Sequence, residues 1–333
     1  MYARAITIAS VILLRPTAIA IADRPAEENP FRFLEPTIQI SGDDQSTMDQ
    51  GGVLVRVLPA SGHELAVLAG GSINVTPDDF IASVRDVAAL KRSSLVPQIG
   101  RFSVEPRLED LRELTLDDVD IDEIRRCRPD RCGLKLTPEE IGQLQRAAAG
   151  GESRDALQDG FRRAVLERTK TYLRNGDERT NQQFSTLLEH SPYLRSRMPT
   201  LIQHLERYPA MRINSVESFL YWTKEVYAWK PMISVTHVTI VRGGGEDSPE
   251  VVVASRDVFA TRYTSASLTV SMMFRDSDSP RRYLVYINRT WVDAVRALWR
   301  PFVEHRIKGS AKRVFVGVRE RIERQASASV SRR

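Results

Sequence analysis

Cys127 and Cys132 are the only two cysteines of the chain and stand close together in Arg-Arg-Cys-Arg-Pro-Asp-Arg-Cys-Gly. In an oxidising compartment a pair this close forms a disulfide, and Pro129-Asp130 favours the turn that would bring the sulfurs together. A loop so short sets local shape more than global stability. Two other chemistries stay open. Arg126, Arg128 and Arg131 would depress a thiol pKa and suit redox exchange, although the spacing is not C-x-x-C. Zinc would need two further ligands, and no histidine is near in sequence.

The remaining chemical residues are scattered. His63, His190, His204, His237 and His305 form no H-E-x-x-H motif, no G-x-S-x-G elbow occurs, and Gly243–Gly245 reads as a hairpin turn rather than a phosphate cradle. Asp118, Asp120 and Asp122 open like a calcium loop. Glu123 and Pro129 then occupy the places of the required glycine and bidentate glutamate, so metal binding is not expected. These acids read instead as the solvent face of a short helix. His237 is the histidine of most interest, because strand alternation would aim it, with Val235 and Thr239, across a sheet face.

Compartment follows from the first residues. Arg4, the apolar run Ala5–Leu14 and the small residues of Ala18-Ile19-Ala20 or Ala20-Ile21-Ala22 read as an export signal over residues 1–22, with a mature chain from near Asp23. The apolar run is too short to span a bilayer, which takes about 20 residues. The formal charge of +5 belongs to the C-terminus, since residues 296–333 carry eleven Lys or Arg against three Glu. Such a segment suits a solvated helix or an anionic membrane surface. Nucleic acid is not expected, because the basic stretch is not read as carrying interleaved exposed aromatics and an exported protein is in the wrong compartment.

These residues must be positioned by an ordered succession of elements. Residues 23–50 lack periodicity and read as a flexible segment. A domain over 51–325 then begins with strands at Val53–Leu58 and Glu64–Val75. Thr76-Pro77-Asp78-Asp79 caps a helix running toward Leu90, and Thr137-Pro138-Glu139-Glu140 caps another. Further helices are predicted at Arg154–Arg174, Asn181–Glu189, Met198–Arg207 and Val216–Trp229, the last rich in aromatics. Four strands follow at Ile233–Val241, Glu250–Tyr263, Ala266–Phe274 and Tyr283–Ile287, their short turns implying antiparallel pairing. A helical pattern starts at Trp291 and continues to Ile322, before a basic tail at 326–333 expected to be disordered.

The corner Ile73-Asn74-Val75-Thr76-Pro77-Asp78-Asp79-Phe80 and the passage Tyr283–Leu298 resemble the helix-grip fold of the START and polyketide-cyclase-like superfamily. The resemblance covers residues 51–92 and 231–325. It implies an α+β fold, an antiparallel sheet gripping a long C-terminal helix, with residues 108–230 as a large all-helical insertion. It also implies a cavity between sheet and helix suited to a hydrophobic or lipid-like small molecule, with His237, Tyr263 and Tyr286 as polar contacts and Trp291 at the helix entrance. The cysteine pair, Gly133–Leu136, Phe219–Glu225 and Ile233–Val238 also resemble segments of an uncharacterised family of exported bacterial proteins. Three functions are therefore expectations: a periplasmic or secreted binder of a lipid-like molecule, an enzyme using the same cavity, or an envelope module docking through its basic helix. No cofactor is called for.

Overall fold

The β-branched and aromatic runs pair into one antiparallel sheet, and helices cover both of its faces. The structure, a computed structural model, describes residues 29–330 apart from 130, 150–153, 177–180, 227–229, 244, 246 and 294–299. The expected leader, the centre of the glycine turn, the aromatics Tyr227 and Trp229, the helix start after Asp293 and the last three residues lie outside the described residues.

In chain order the elements are α1 (Gly42–Asp49), β1 (Leu54–Val57), β2 (Glu64–Ile73), α2 (Pro77–Arg85), α3 (Val87–Lys91), β3 (Gln98–Arg101), α4 (Asp118–Arg126), α5 (Pro138–Ala149), α6 (Arg154–Asn175), α7 (Asn181–Glu189), α8 (Pro192–Arg197), α9 (Pro199–Arg207), β4 (Glu217–Glu225), β5 (Met232–Arg242), β6 (Val251–Ala260), β7 (Thr264–Arg275), β8 (Arg282–Val292) and α10 (Arg300–Val330). The sheet order is β1-β2-β8-β7-β6-β5-β4-β3, antiparallel throughout. The chain is thus α+β, an eight-stranded open sheet with a long C-terminal helix, consistent with a helix-grip-like fold.

Three apolar clusters hold the layers together. On one face α2, α3 and α10 bury Phe80, Ile81, Val84, Phe315 and Ile322 against Ala69, Val238, Ile240, Val253 and Met273. α10 lies over the β1–β2 end of the sheet rather than along its whole width. On the other face α7–α9 cover β6–β8, and α4–α6 cover Leu220, Trp222, Val235 and Phe259. Thr76 caps α2 as its sequence predicts, its hydroxyl accepting from the Asp79 N–H at 3.2 Å while Pro77 opens the first turn.

Five expectations need correction. Residues 29–50 are not a loose segment, because Phe31, Phe33, Leu34, Ile38, Ile40 and Met48 are all buried on the α7–α9 face. These side chains enter the core from irregular turns and the short helix α1, so no period betrays them. Val216–Trp229 is not a helix. Residues Glu217–Glu225 form β4, whose alternation sends Leu220 and Trp222 to the α4–α6 face and Phe219 and Tyr221 to the other. Aromatic and β-branched residues favour this pleated surface, and the pairs Phe219↔Val238 and Tyr221↔Thr236 fix its register. The insertion over 108–230, expected to be all-helical, therefore holds β4, and before it in the chain stands a further strand, β3. That strand pairs with β4 where Gly100 lies against the Trp222 indole, and a Cβ at Gly100 would stand 2.6 Å from the ring. The tail is helical through Val330, because Phe315, Ile322 and Ala326 continue one buried line. Trp291 belongs to β8, not to a helix.

Candidate functional site

The β6–β7 ladder ends at Arg256↔Leu268, although β6 stays paired with β5 to Ala260 and β7 with β8 to Thr264. The sheet therefore splits between Asp257–Ala260 and Thr264–Ser267. A register shift sits on each side of the split. Between Val235 and Thr236 the β6 partner jumps from Phe259 to Asp257, leaving Val258 as the extra residue, and between Thr264 and Ala266 the residue left over is Ser265. Bulges re-aim side chains and recur beside functional sites. Here the first one turns Phe259 toward the helical block while Asp257 keeps the opposite orientation.

A recess of about 590 Å³ opens at this split. Its apolar surface comes from Leu136, Tyr172, Val258, Phe259 and Ala260. Charged groups frame it. The Arg168 guanidinium lies 4.2 Å from the Phe259 ring centroid and donates to Glu140 Oε1 at 2.5 Å and to Lys135 O at 2.9 Å. Glu140 is also the capping residue of α5, accepting from the Thr137 N–H at 2.7 Å, so one carboxylate starts a helix and orients the arginine. Lys135 Nζ crosses to the far strand, donating to Thr264 O at 2.6 Å, Ser265 Oγ at 2.9 Å and Asp293 Oδ1 at 2.9 Å.

Asp257 connects the recess to the α10 face. Its Oδ1 accepts from Thr236 Oγ1 at 2.8 Å. Burial pushes its carboxyl up to about 6, aided by the Glu225 carboxylate and opposed by the Thr236 hydrogen bond, Lys91 and Arg256. Around it runs a polar set. Lys91 Nζ donates to the Tyr221 hydroxyl at 2.9 Å, Thr223 Oγ1 to Glu225 Oε1 at 3.0 Å, and Asn288 Nδ2 to Thr269 Oγ1 at 2.9 Å. Tyr286 joins through Thr269, and burial raises its pKa. Asp257 and Tyr286 are enclosed by protein, yet each keeps part of its surface open.

On the other face, Tyr172 links the recess to a buried aromatic group. Its hydroxyl shares a 2.8 Å hydrogen bond with His237 Nδ1, and its ring stacks on Tyr208 at 5.3 Å. Burial, with His204 and Arg256 nearby, drives His237 down to about 3, so the imidazole is neutral. His204 is also shifted down by burial. Its Nδ1 stands 3.1 Å from Met211 O and 3.2 Å from Ile213 N, and its Nε2 stands 3.3 Å from Thr239 Oγ1.

Cys127 and Cys132 form a disulfide. It closes the turn before the strap Gly133–Leu136, which edges the recess. Lys135 N–H donates to Thr261 O at 2.8 Å, and buried Arg262 donates to Gly133 O at 3.0 Å, Asp120 Oδ1 at 2.6 Å and Glu123 Oε2 at 2.7 Å. The acidic triplet is thereby dispersed, Asp120 toward Arg262, Asp118 toward Arg154 and Asp122 toward Arg125. Among the described residues no group of acids, histidines and cysteines is arranged to hold a metal.

The four sequence-predicted ligand contacts do not meet. His237 and Trp291 face the helical block, where Trp291 stacks on His63 at 5.9 Å. Tyr286 faces the α10 side. Tyr263 stands in the β6–β7 turn at φ 63°, its hydroxyl donating to Lys230 O at 3.2 Å. At the Ile307 end of α10 a gap of about 200 Å³ opens against the sheet, lined by Leu65, Ala66, Val67, Asn288, Thr290, Val292 and Ile307. Asp257 was legible in principle, as an acid inside a β-branched run, a costly placement without a purpose. Glu140 was legible only as part of a helix cap, and Arg168 lay on a predicted helix with nothing to single it out.

No family model and no curated protein matches this chain. The site must be read from its own geometry.

Proposed function

We propose that this protein binds a small, largely hydrophobic molecule at the β6–β7 split, its apolar body against Phe259, Leu136 and Val258 and one hydrogen-bond-donating group toward Asp257. The observation that carries this is the enclosed Asp257 carboxyl beside a recess of about 590 Å³ at an interrupted ladder. That volume lies in the range of small-molecule sites, about 300–1,000 Å³. Perturbed carboxyls in clefts are also a mark of functional sites.

The leader-like residues 1–22 and the disulfide support action outside the cytoplasm, in the periplasm or beyond. No described helix is long and apolar enough to cross a membrane. Mass spectrometry on protein exported from a host that secretes it tests both points. The denatured spectrum should give the mass of a cross-linked chain starting near Asp23. The native spectrum should exceed it by the mass of a small molecule, and the excess should vanish in Asp257→Leu. Bare protein under both conditions overturns the binding reading, and an intact leader overturns export.

A second reading rests on the same residue. A carboxyl titrating near 6 suits general acid–base chemistry on the bound molecule. Conversion of the extracted molecule by the parent protein but not by Asp257→Asn would support it, and its persistence with both would remove it.

A further inference from the structure

α10 is pinned at two places and bare between them. Arg300 donates to Ala60 O at 3.3 Å, and Phe315, Ile322 and Ala326 are buried in the core. From Pro301 to Val314 no residue is buried. Phe302, Arg306, Gly309 and Arg313 follow one another at helical spacing along one exposed line, with His305, Lys308 and Lys312 exposed beside it. Phe302 is 60% exposed and Val314 39%. Among the described residues Arg306, Lys308, Lys312 and Arg313 make no ion pair, and the one acid of this stretch, Glu304, already pairs with Arg300. Surface helices ordinarily balance their charges; this one presents unpaired cations around an exposed phenylalanine.

We propose that the outer face of α10 over residues 301–314 docks on the anionic surface of a phospholipid bilayer, Phe302 entering the interface while Arg306, Lys308, Lys312 and Arg313 meet the headgroups. Charge complementarity selects this occupant. A rigid helix lying flat, basic on its free face and tipped by an aromatic, has the features of an interfacial segment, and it is too polar to span. The surface is separate from the recess, and its docking is independent of any ligand there.

The test is flotation of the full-length exported protein with vesicles of phosphatidylcholine alone or of phosphatidylcholine and phosphatidylglycerol in equal amounts. Binding is expected only to the anionic vesicles and should disappear in about 1 M salt, where the screening length falls to about 3 Å. The double substitution Arg306→Glu/Arg313→Glu should weaken it at least about twentyfold, since each basic residue near such a surface is worth about fivefold in affinity. Phe302→Ser should weaken it more modestly and with little salt dependence. All three positions are exposed, so thermal unfolding should match the parent. Equal binding to both vesicle types, no binding to the anionic ones, or full binding by the charge-reversal variant overturns the proposal. Equally tight binding to duplex DNA would reveal a general polyanion surface and overturn the assignment to lipid.

Discussion

The same three strands build two different surfaces. Toward the helical block, β6, β7 and β8 present Ala254, Leu268, Val270, Met272, Val285 and Ile287, each no more than 1% exposed. Toward α10, beside the buried Val251, Val253, Met273 and Leu284, the alternate residues are Ser255, Asp257, Thr269, Ser271, Tyr286 and Asn288, all half-buried. Backbone, twist and strand length are shared, so the difference lies in what covers each face. The first is filled by α7–α9 and the N-terminal segment, and the polar groups that enter it are held by protein partners, Arg256 by Leu205 O and Arg289 by Glu64. On the second, α10 packs chiefly over β1 and β2, and hydroxyls, an amide and one carboxyl of β6–β8 remain half-buried. The apolar face specifies the fold; the polar face is free to be shaped by what it meets.

The largest effect should come from the filled face. Leu268→Ala removes a fully buried side chain in contact with the α7–α9 cluster and should cost about 2–5 kcal/mol in denaturant unfolding. A cost below about 1 kcal/mol would mean that this face repacks easily, and the contrast between the two surfaces would collapse.

Acidity should separate the faces next. On the helical side, His237 is held near 3, below its usual 6.5, so its contribution to stability is whole above pH 6.5 and is lost as pH falls toward 3. On the α10 side, Asp257 is raised from 3.8 to about 6, so its contribution is whole below about pH 4 and is lost as pH rises through 6. Between pH 6 and 4 the two oppose each other. His237→Gln should therefore gain stability on acidification relative to the parent, and Asp257→Asn should lose it. A tenfold change in proton affinity is worth about 1.4 kcal/mol, so each departure should reach roughly 2–3 kcal/mol across that range. Thermal unfolding against pH for the three proteins reads this out. Parallel curves would show that neither group is perturbed by its surroundings.

The contrast was only half legible in the sequence. Thr76-Pro77-Asp78-Asp79 and Thr137-Pro138-Glu139-Glu140 announce their helices because capping is local, a matter of four residues. The order of the last four strands is equally clear, since β-branched runs and short turns are local too. What a face looks toward is not local. His237 and Tyr286 both read as sheet residues, and only the register and the packing of α6 and α9 against β5 put them on opposite sides. The aromatics of β4 mislead for a related reason, because a stretch of nine residues accommodates either period until its partner strand is known. The split beside Asp257 depends on two register shifts, in β5–β6 and β7–β8, that no propensity encodes.

The smallest effect sharpens the comparison most. Ser255 and Ser271 lie on the polar face, half-buried, in alternation with core residues of the same strands. If water reaches them, their hydroxyls are already solvated, and Ser255→Ala/Ser271→Ala should change stability by no more than about 0.5 kcal/mol. Such a result, beside the loss expected from Leu268→Ala three residues away, would mark the α10 face as a surface turned inward rather than a core. A cost of about 2 kcal/mol or more would instead mean that these hydroxyls are sealed and bonded within the fold, as deletion of a satisfied buried hydrogen bond requires. The polar residues would then be structural, and Asp257 alone would connect this face to the recess.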